Sequence, residues 1–151
     1  MNAGTFYQQN AIQGASPLEL VLTMYDMLIA DMNRAIAALR SGDVEARTNE
    51  VKHALDVLAH LQSGLNFETG GDTANSLDTL YGIVRGKLLQ AHIQQSVPLF
   101  QQQIDMINYV RDAWKEVQRR LAQPAPSSMY GDAMMPPPSM DAEAQMSNWR
   151  A

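Results

Sequence analysis

Ser16-Pro17-Leu18-Glu19-Leu20-Val21-Leu22-Thr23-Met24-Tyr25-Asp26 begins the stretch that decides the fold, and its apolar pattern runs on through Leu28, Ile29, Met32, Ile36 and Leu39. A serine ahead of a helix accepts from the free first-turn amides, a proline fits the first helical position, and a glutamate at the third closes a capping box. Ser16, Pro17 and Glu19 stand in that order. From this start Leu18, Val21 or Leu22, Tyr25, Leu28 or Ile29, Met32, Ala35 or Ile36 and Leu39 recur at spacings of three and four. The spacing predicts one helix with a wide apolar stripe, and that stripe needs other elements to bury it.

Three further stretches carry the same period. The first helix is expected from about Pro17 to Arg40, stopped by Ser41-Gly42, where glycine takes the left-handed position that ends a helix. A second follows from Asp43 as N-cap, with Val44, Arg47 or Thr48, Val51, Ala54 or Leu55, Leu58, Leu61 and Leu65 on one face. The run Asn66 to Asp72 reads as a loop broken by Gly70-Gly71, with Asp72 or Thr73 capping the third helix. That helix is marked by Ala74, Leu77, Leu80 or Tyr81, Val84, Leu88 and Ala91, and ends near Ile93 to Gln95. Ser96 caps a fourth, Pro98 sits harmlessly in its first turn, and Phe100, Ile104, Ile107, Val110, Trp114, Val117 and Leu121 form its stripe. Four amphipathic helices joined by short loops predict an all-α, antiparallel up-down-up-down four-helix bundle.

The flanks have a different composition. Residues 1–15 place Phe6, Tyr7, Asn10, Ala11 and Ile12 among small and polar residues, which predicts an N-terminal arm that either packs on the edge of the core or acts as a movable plug. From Pro124 to Ala151 prolines and methionines replace the helical period, so the tail is expected to be disordered. Its methionines are soft contact points, and Trp149-Arg150 a short anchor, unless the tail merely solubilises. The expected organisation is an arm over 1–15, a bundle over 16–123 and a tail over 124–151.

Composition narrows the function classes. A chain of 151 residues is one domain on length, with core enough to fold. Neither a membrane-length apolar run nor a secretory leader is visible, which points to the cytosol and against membrane insertion. The absence of cysteine removes thiolate metal sites and thiol nucleophiles and is compatible with a reducing compartment. A formal net charge of −5 argues against nucleic acid, whose phosphates call for a basic patch. Glu50-Val51-Lys52-His53 has the E-x-x-H spacing of di-iron bundles, but no second copy exists, and His60 and His92 lie elsewhere. Without a phosphate-binding glycine loop or a histidine-centred triad, neither a catalytic residue nor a cofactor nor a metal site is expected.

Surplus apolar surface points instead to a binding protein. Leu20, Met24 and Met27 on the first helix, Val57 on the second, Ile83, Leu89 and Ile93 on the third, and Met106 and Tyr109 on the fourth lie off or beside the main stripes. Gly82 and Gly86 share one helix face with Leu89 and Ile93, at a cost of about 1 kcal/mol each relative to alanine. Two such glycines suggest close approach of another backbone, either the fourth helix or the arm of the same molecule, or a foreign helix in a groove.

Several of these segments together resemble the flagellin-specific export chaperone family, FliS. They are the run Tyr7 to Asn10, Ala15-Ser16-Pro17, Leu22-Thr23-Met24-Tyr25-Asp26, the Leu65-Asn66-Phe67-Glu68-x-Gly70-Gly71 loop, Leu80-Tyr81, Ala91-His92-Ile93 and Asp112-Ala113-Trp114-Lys115-Glu116. Met27 after Tyr-Asp and Gly82 after Leu-Tyr depart from the usual pattern. The resemblance implies a cytosolic helical bundle that binds the disordered C-terminal segment of flagellin, prevents its polymerisation and presents it to a component of the flagellar type III export gate. It also implies an arm lying over part of the binding surface. The partner-binding residues expected on these grounds are Tyr7, Asn10, Ile12, Leu20, Met24, Met27, Gly82, Gly86, Leu89 and Ile93, in a monomer or weak dimer. A regulatory adaptor that grips an amphipathic helix of a signalling protein is the alternative.

Overall fold

The computed structural model describes residues 17–123, which form four α-helices and no strand. Helix α1 spans Pro17–Ser41, α2 Val44–Ser63, α3 Phe67–Gln94 and α4 Val97–Ala122. Each helix packs on its neighbours in sequence, and α1 packs on α4, so the four close into an up-down-up-down ring. The seams that α1 makes with α2 and α4 are the more extensive; α3 is embraced least. Ser16, the arm and the tail lie outside the described residues.

The ends of the helices follow from local chemistry. At the end of α1, Gly42 adopts φ 73°, its amide bonds the Leu39 carbonyl, and the Asp43 amide reaches back to Ala38. This is the paired bonding of a Schellman stop. Asp43 then caps α2 by accepting from the Ala46 amide. Ser96 caps α4 by accepting from the Leu99 amide, with Pro98 in the first turn. The Schellman bonds at the end of α3 are built on Gln95 instead of glycine, at φ 54°.

The start of α3 differs from expectation. Asn66, not Asp72 or Thr73, is the cap, and its side chain accepts from the Glu68 and Thr69 amides to set a helical turn at once. The break expected at Gly70-Gly71 falls inside the element, at Gly71, whose φ of 53° and ψ of −131° interrupt the helix before it runs on to Gln94. Gly70 has its own reason to lack a side chain, because a Cβ there would lie 2.9 Å from that of Ala74.

The core is filled by the expected stripes: Val21, Tyr25, Leu28 and Met32 from α1, Val51, Ala54, Leu58 and Leu61 from α2, Leu77, Tyr81, Val84 and Leu88 from α3, and Phe100, Ile104, Ile107 and Trp114 from α4. Helix α1 carries a second buried arc as well. Leu20, Met24, Asp31, Ala35 and Ala38 are all interior, and Met27, in register with them, is partly buried. The arc faces α2, since Asp31 on it bonds His53 of α2. Leu20 and Met24, expected on an exposed flank, are each 1% exposed, and Val57 of α2 is fully buried. The physical reason is that α1 sits between two close neighbours and buries an arc wider than one stripe.

Candidate partner-binding surface

Once those residues are assigned to the interior, the surplus apolar surface contracts onto α3 and α4. Ile83, Leu89 and Ile93 of α3 are exposed, as are Met106 and Tyr109 of α4. On α3 the residues Gly82, Gly86, Leu89 and Ile93 follow at spacings of four, three and four, so they line one face. The buried face of the same helix runs through Leu77, Tyr81, Val84, Leu88 and Ala91, on the opposite side. Having apolar residues on both sides makes α3 the least amphipathic of the four helices.

The two glycines stand in open space. A Cβ added at Gly82 or Gly86 would meet nothing within 4 Å. No helix of the bundle makes the close approach that could explain them. The fold thus carries two residues that weaken α3 without gaining packing in return. Tyr7, Asn10 and Ile12, also expected at this surface, lie outside the described residues.

Polar networks hold the helices that carry this surface. At the centre, the Tyr25 hydroxyl shares a hydrogen bond with that of Tyr81 and accepts from Nε1 of Trp114 at 3.1 Å, which ties α1 to α3 and α4. Burial pushes the Tyr25 hydroxyl up to about 12 and that of Tyr81 well above its ordinary range, so both stay neutral. Between α1 and α2, Asp31 is wholly buried; its Oδ2 lies 2.5 Å from Nδ1 of His53 and its Oδ1 accepts from Arg34 at 2.6 Å. Burial raises the Asp31 carboxyl, with His53 and Arg34 working against that shift.

Arg34 also pairs with Glu50 at 3.0 Å. Both ends of the E-x-x-H motif are therefore engaged with α1: Glu50 with Arg34, and His53 with Asp31. His53 is thus a residue of the α1–α2 seam. The sequence signal for Asp31 is the polar interruption of the Leu20-Met24-Met27 arc, with a basic residue three positions on. Among the described residues, no three histidine, aspartate or glutamate side chains converge as a metal site would need, and no helix is long and apolar enough to cross a membrane.

The seam between α2 and α3 is polar at its rim. Gln62 donates to Asp78 and accepts from Arg85, and Nε of Arg47 donates to Nδ1 of His92 at 3.2 Å. Burial, then the adjacent Arg47 charge, lowers the His92 pKa and keeps the imidazole neutral as an acceptor. Periodicity left Arg47 or Thr48 open on the buried face of α2, and the structure places Arg47 there, 7% exposed.

Comparison with known proteins identifies the family. Residues 1–121 match the family model of the flagellar protein FliS. The chain is 28% identical over 110 residues to the flagellar secretion chaperone FliS of Salmonella typhimurium, covering 72% of this chain and 82% of the relative. It is 27% identical over 115 residues to that of Bacillus subtilis, covering 76% and 85%. With that of Campylobacter jejuni it shares 29% over 111 residues, covering 74% and 87%. The match takes in all four helices as far as Leu121, and the chain belongs to the FliS family of flagellar secretion chaperones.

Proposed function

We propose that this protein binds the disordered C-terminal segment of flagellin in the cytosol, keeps it from polymerising, and hands it to a component of the flagellar type III export gate. The observation that carries this reading is the outer face of α3, where Leu89 and Ile93 are exposed beside two glycines that nothing in the bundle approaches. An amphipathic segment that folds on binding gains affinity by laying its apolar side against such a face, and glycines let its backbone come close. The work is binding and release, without a bond made or broken.

Gly82, Gly86, Leu89 and Ile93 form the contact in this reading; Met27, partly buried on the arc of α1 that faces α2, stands apart from that face. Leu20 and Met24 belong to the core. Size-exclusion chromatography of the full chain mixed with flagellin tests the proposal: a 1:1 complex is expected, which flagellin lacking its C-terminal segment does not form. Absence of a complex with intact flagellin overturns it, and capture of a signalling protein in its place would favour an adaptor.

A further inference from the structure

Arg47 is 7% exposed, and among the described residues its guanidinium has no anion beside it. Its one hydrogen bond goes to the neutral ring of His92, and among the described residues no carboxylate pairs with it. The other arginines at the seams between helices are accommodated: Arg34 pairs with Asp31 and Glu50, Arg111 with Asp26, and Arg85 bonds Gln62. With Nδ1 of His92 accepting from Arg47, the ring proton sits on Nε2. That N–H and the four Nη hydrogens of Arg47 are donors without an acceptor among the described residues.

Burying a charge without a counter-charge works against folding, and an apolar side chain would serve this seam better. The donors lie at one end of the bundle, near the two most exposed aliphatic side chains among the described residues. Val44, 59% exposed, is one turn before Arg47, and Ile93, 77% exposed, follows His92 directly. Ile93 is also the last residue of the Gly82-Gly86-Leu89-Ile93 face, so a segment laid along that face arrives at the two donors.

We propose that Arg47 and His92 form a carboxylate-binding site, filled in the complex by an acidic side chain of the flagellin segment docked along α3. The site rests on the flagellin reading and deepens it. Apolar contacts along α3 supply area, while the carboxylate fixes register and direction, since a planar guanidinium accepts it two-pronged and in one orientation.

The test is fluorescence anisotropy with the labelled C-terminal segment of flagellin and the full chain, at low and high salt. Arg47→Met and Arg47→Gln are expected to weaken binding about tenfold or more and to flatten its salt dependence, with Arg47→Lys losing less. One acidic residue of the segment, replaced by its amide, is expected to reproduce the loss with the wild-type chain and to cause none with Arg47→Met.

Unchanged affinity and salt dependence in both Arg47 variants overturn the site, as does a loss that no single amide replacement reproduces. A fall in Tm of more than about 5 °C in both variants also overturns it, by assigning Arg47 to the fold. Failure of the wild-type chain to bind the segment is a separate result: it refutes the flagellin reading itself, and this site with it.

Discussion

The hydroxyl oxygens of Tyr25 and Tyr81 lie 2.6 Å apart in the interior of the bundle, where neither residue has any exposure to solvent. Their rings meet at 56° with centroids 6.4 Å apart, so the contact is tilted and the hydroxyls meet at its polar edge. Trp114 donates to Tyr25 alone of the two, which makes Tyr25 the hub.

The hub predicts an order of costs. Tyr25→Phe removes both hydrogen bonds and leaves the Tyr81 hydroxyl buried without its partner, so it should cost about 1–3 kcal/mol. Tyr81→Phe removes one bond and leaves the Trp114 contact in place, so it should cost about 0.5–1.5 kcal/mol. Urea unfolding of the two variants checks this, and equal costs would mean that the Trp114 bond contributes nothing.

The same pair predicts an alkaline limit. Burial raises both hydroxyls above the unfolded value of 10.0, Tyr25 to about 12. A raised pKa means that the folded state favours the protonated form. The contribution is therefore whole below pH 10.0 and is lost as pH rises through about 12. Unfolding midpoints over that window should fall more steeply for the wild type than for the Tyr25→Phe/Tyr81→Phe double variant. Parallel slopes would count against the pair.

Gln95 ends α3 in a conformation that L side chains resist. At φ 54° its Cβ crowds the backbone, whereas glycine takes the position freely, as Gly42 does at the end of α1. Gln95→Gly should raise stability by about 0.5–1 kcal/mol, the strain released less the entropy that glycine adds to the unfolded chain. The urea midpoint measures it.

How far the sequence could be read depends on which signals are local. Caps and stops are local, and Gly42, Asp43 and Ser96 take their expected roles; the Asn66 cap is masked in the sequence by two glycines that draw the apparent boundary past it. Stripes are local too, but the width of a buried arc is set by neighbours. Leu20 and Met24 read as surplus because periodicity says which residues share a face, not how many faces are covered. The partners of buried polar groups are the least legible: Asp31 with His53 and Arg47 with His92 are 22 and 45 residues apart in sequence. The candidate surface was legible in part, since Gly82, Gly86, Leu89 and Ile93 form one face by spacing alone. That the glycines meet nothing needed the fold.

The arm gives a functional prediction. If residues 1–15 cover part of the docking surface, as the family resemblance implies through Tyr7, Asn10 and Ile12, they compete with flagellin for it. Deleting them should tighten binding of the C-terminal segment, read as a lower Kd by anisotropy. An unchanged or weaker affinity would remove the plug.

Gly82 and Gly86 allow stability to be separated from binding. Because a Cβ at either meets nothing within 4 Å, alanine there adds helix propensity without a clash. Each of Gly82→Ala and Gly86→Ala should stabilise the free protein by about 1 kcal/mol. Leucine at both should leave the fold intact, since the face is open, but should hold an approaching backbone away and abolish capture of the flagellin segment. Thermal melting and anisotropy on the same samples give the two readouts. A double leucine variant that melts no lower than wild type yet binds nothing would place the contact on this face; one that still binds would move the contact elsewhere, with the α4 side of the bundle, at Met106 and Tyr109, next to be tested.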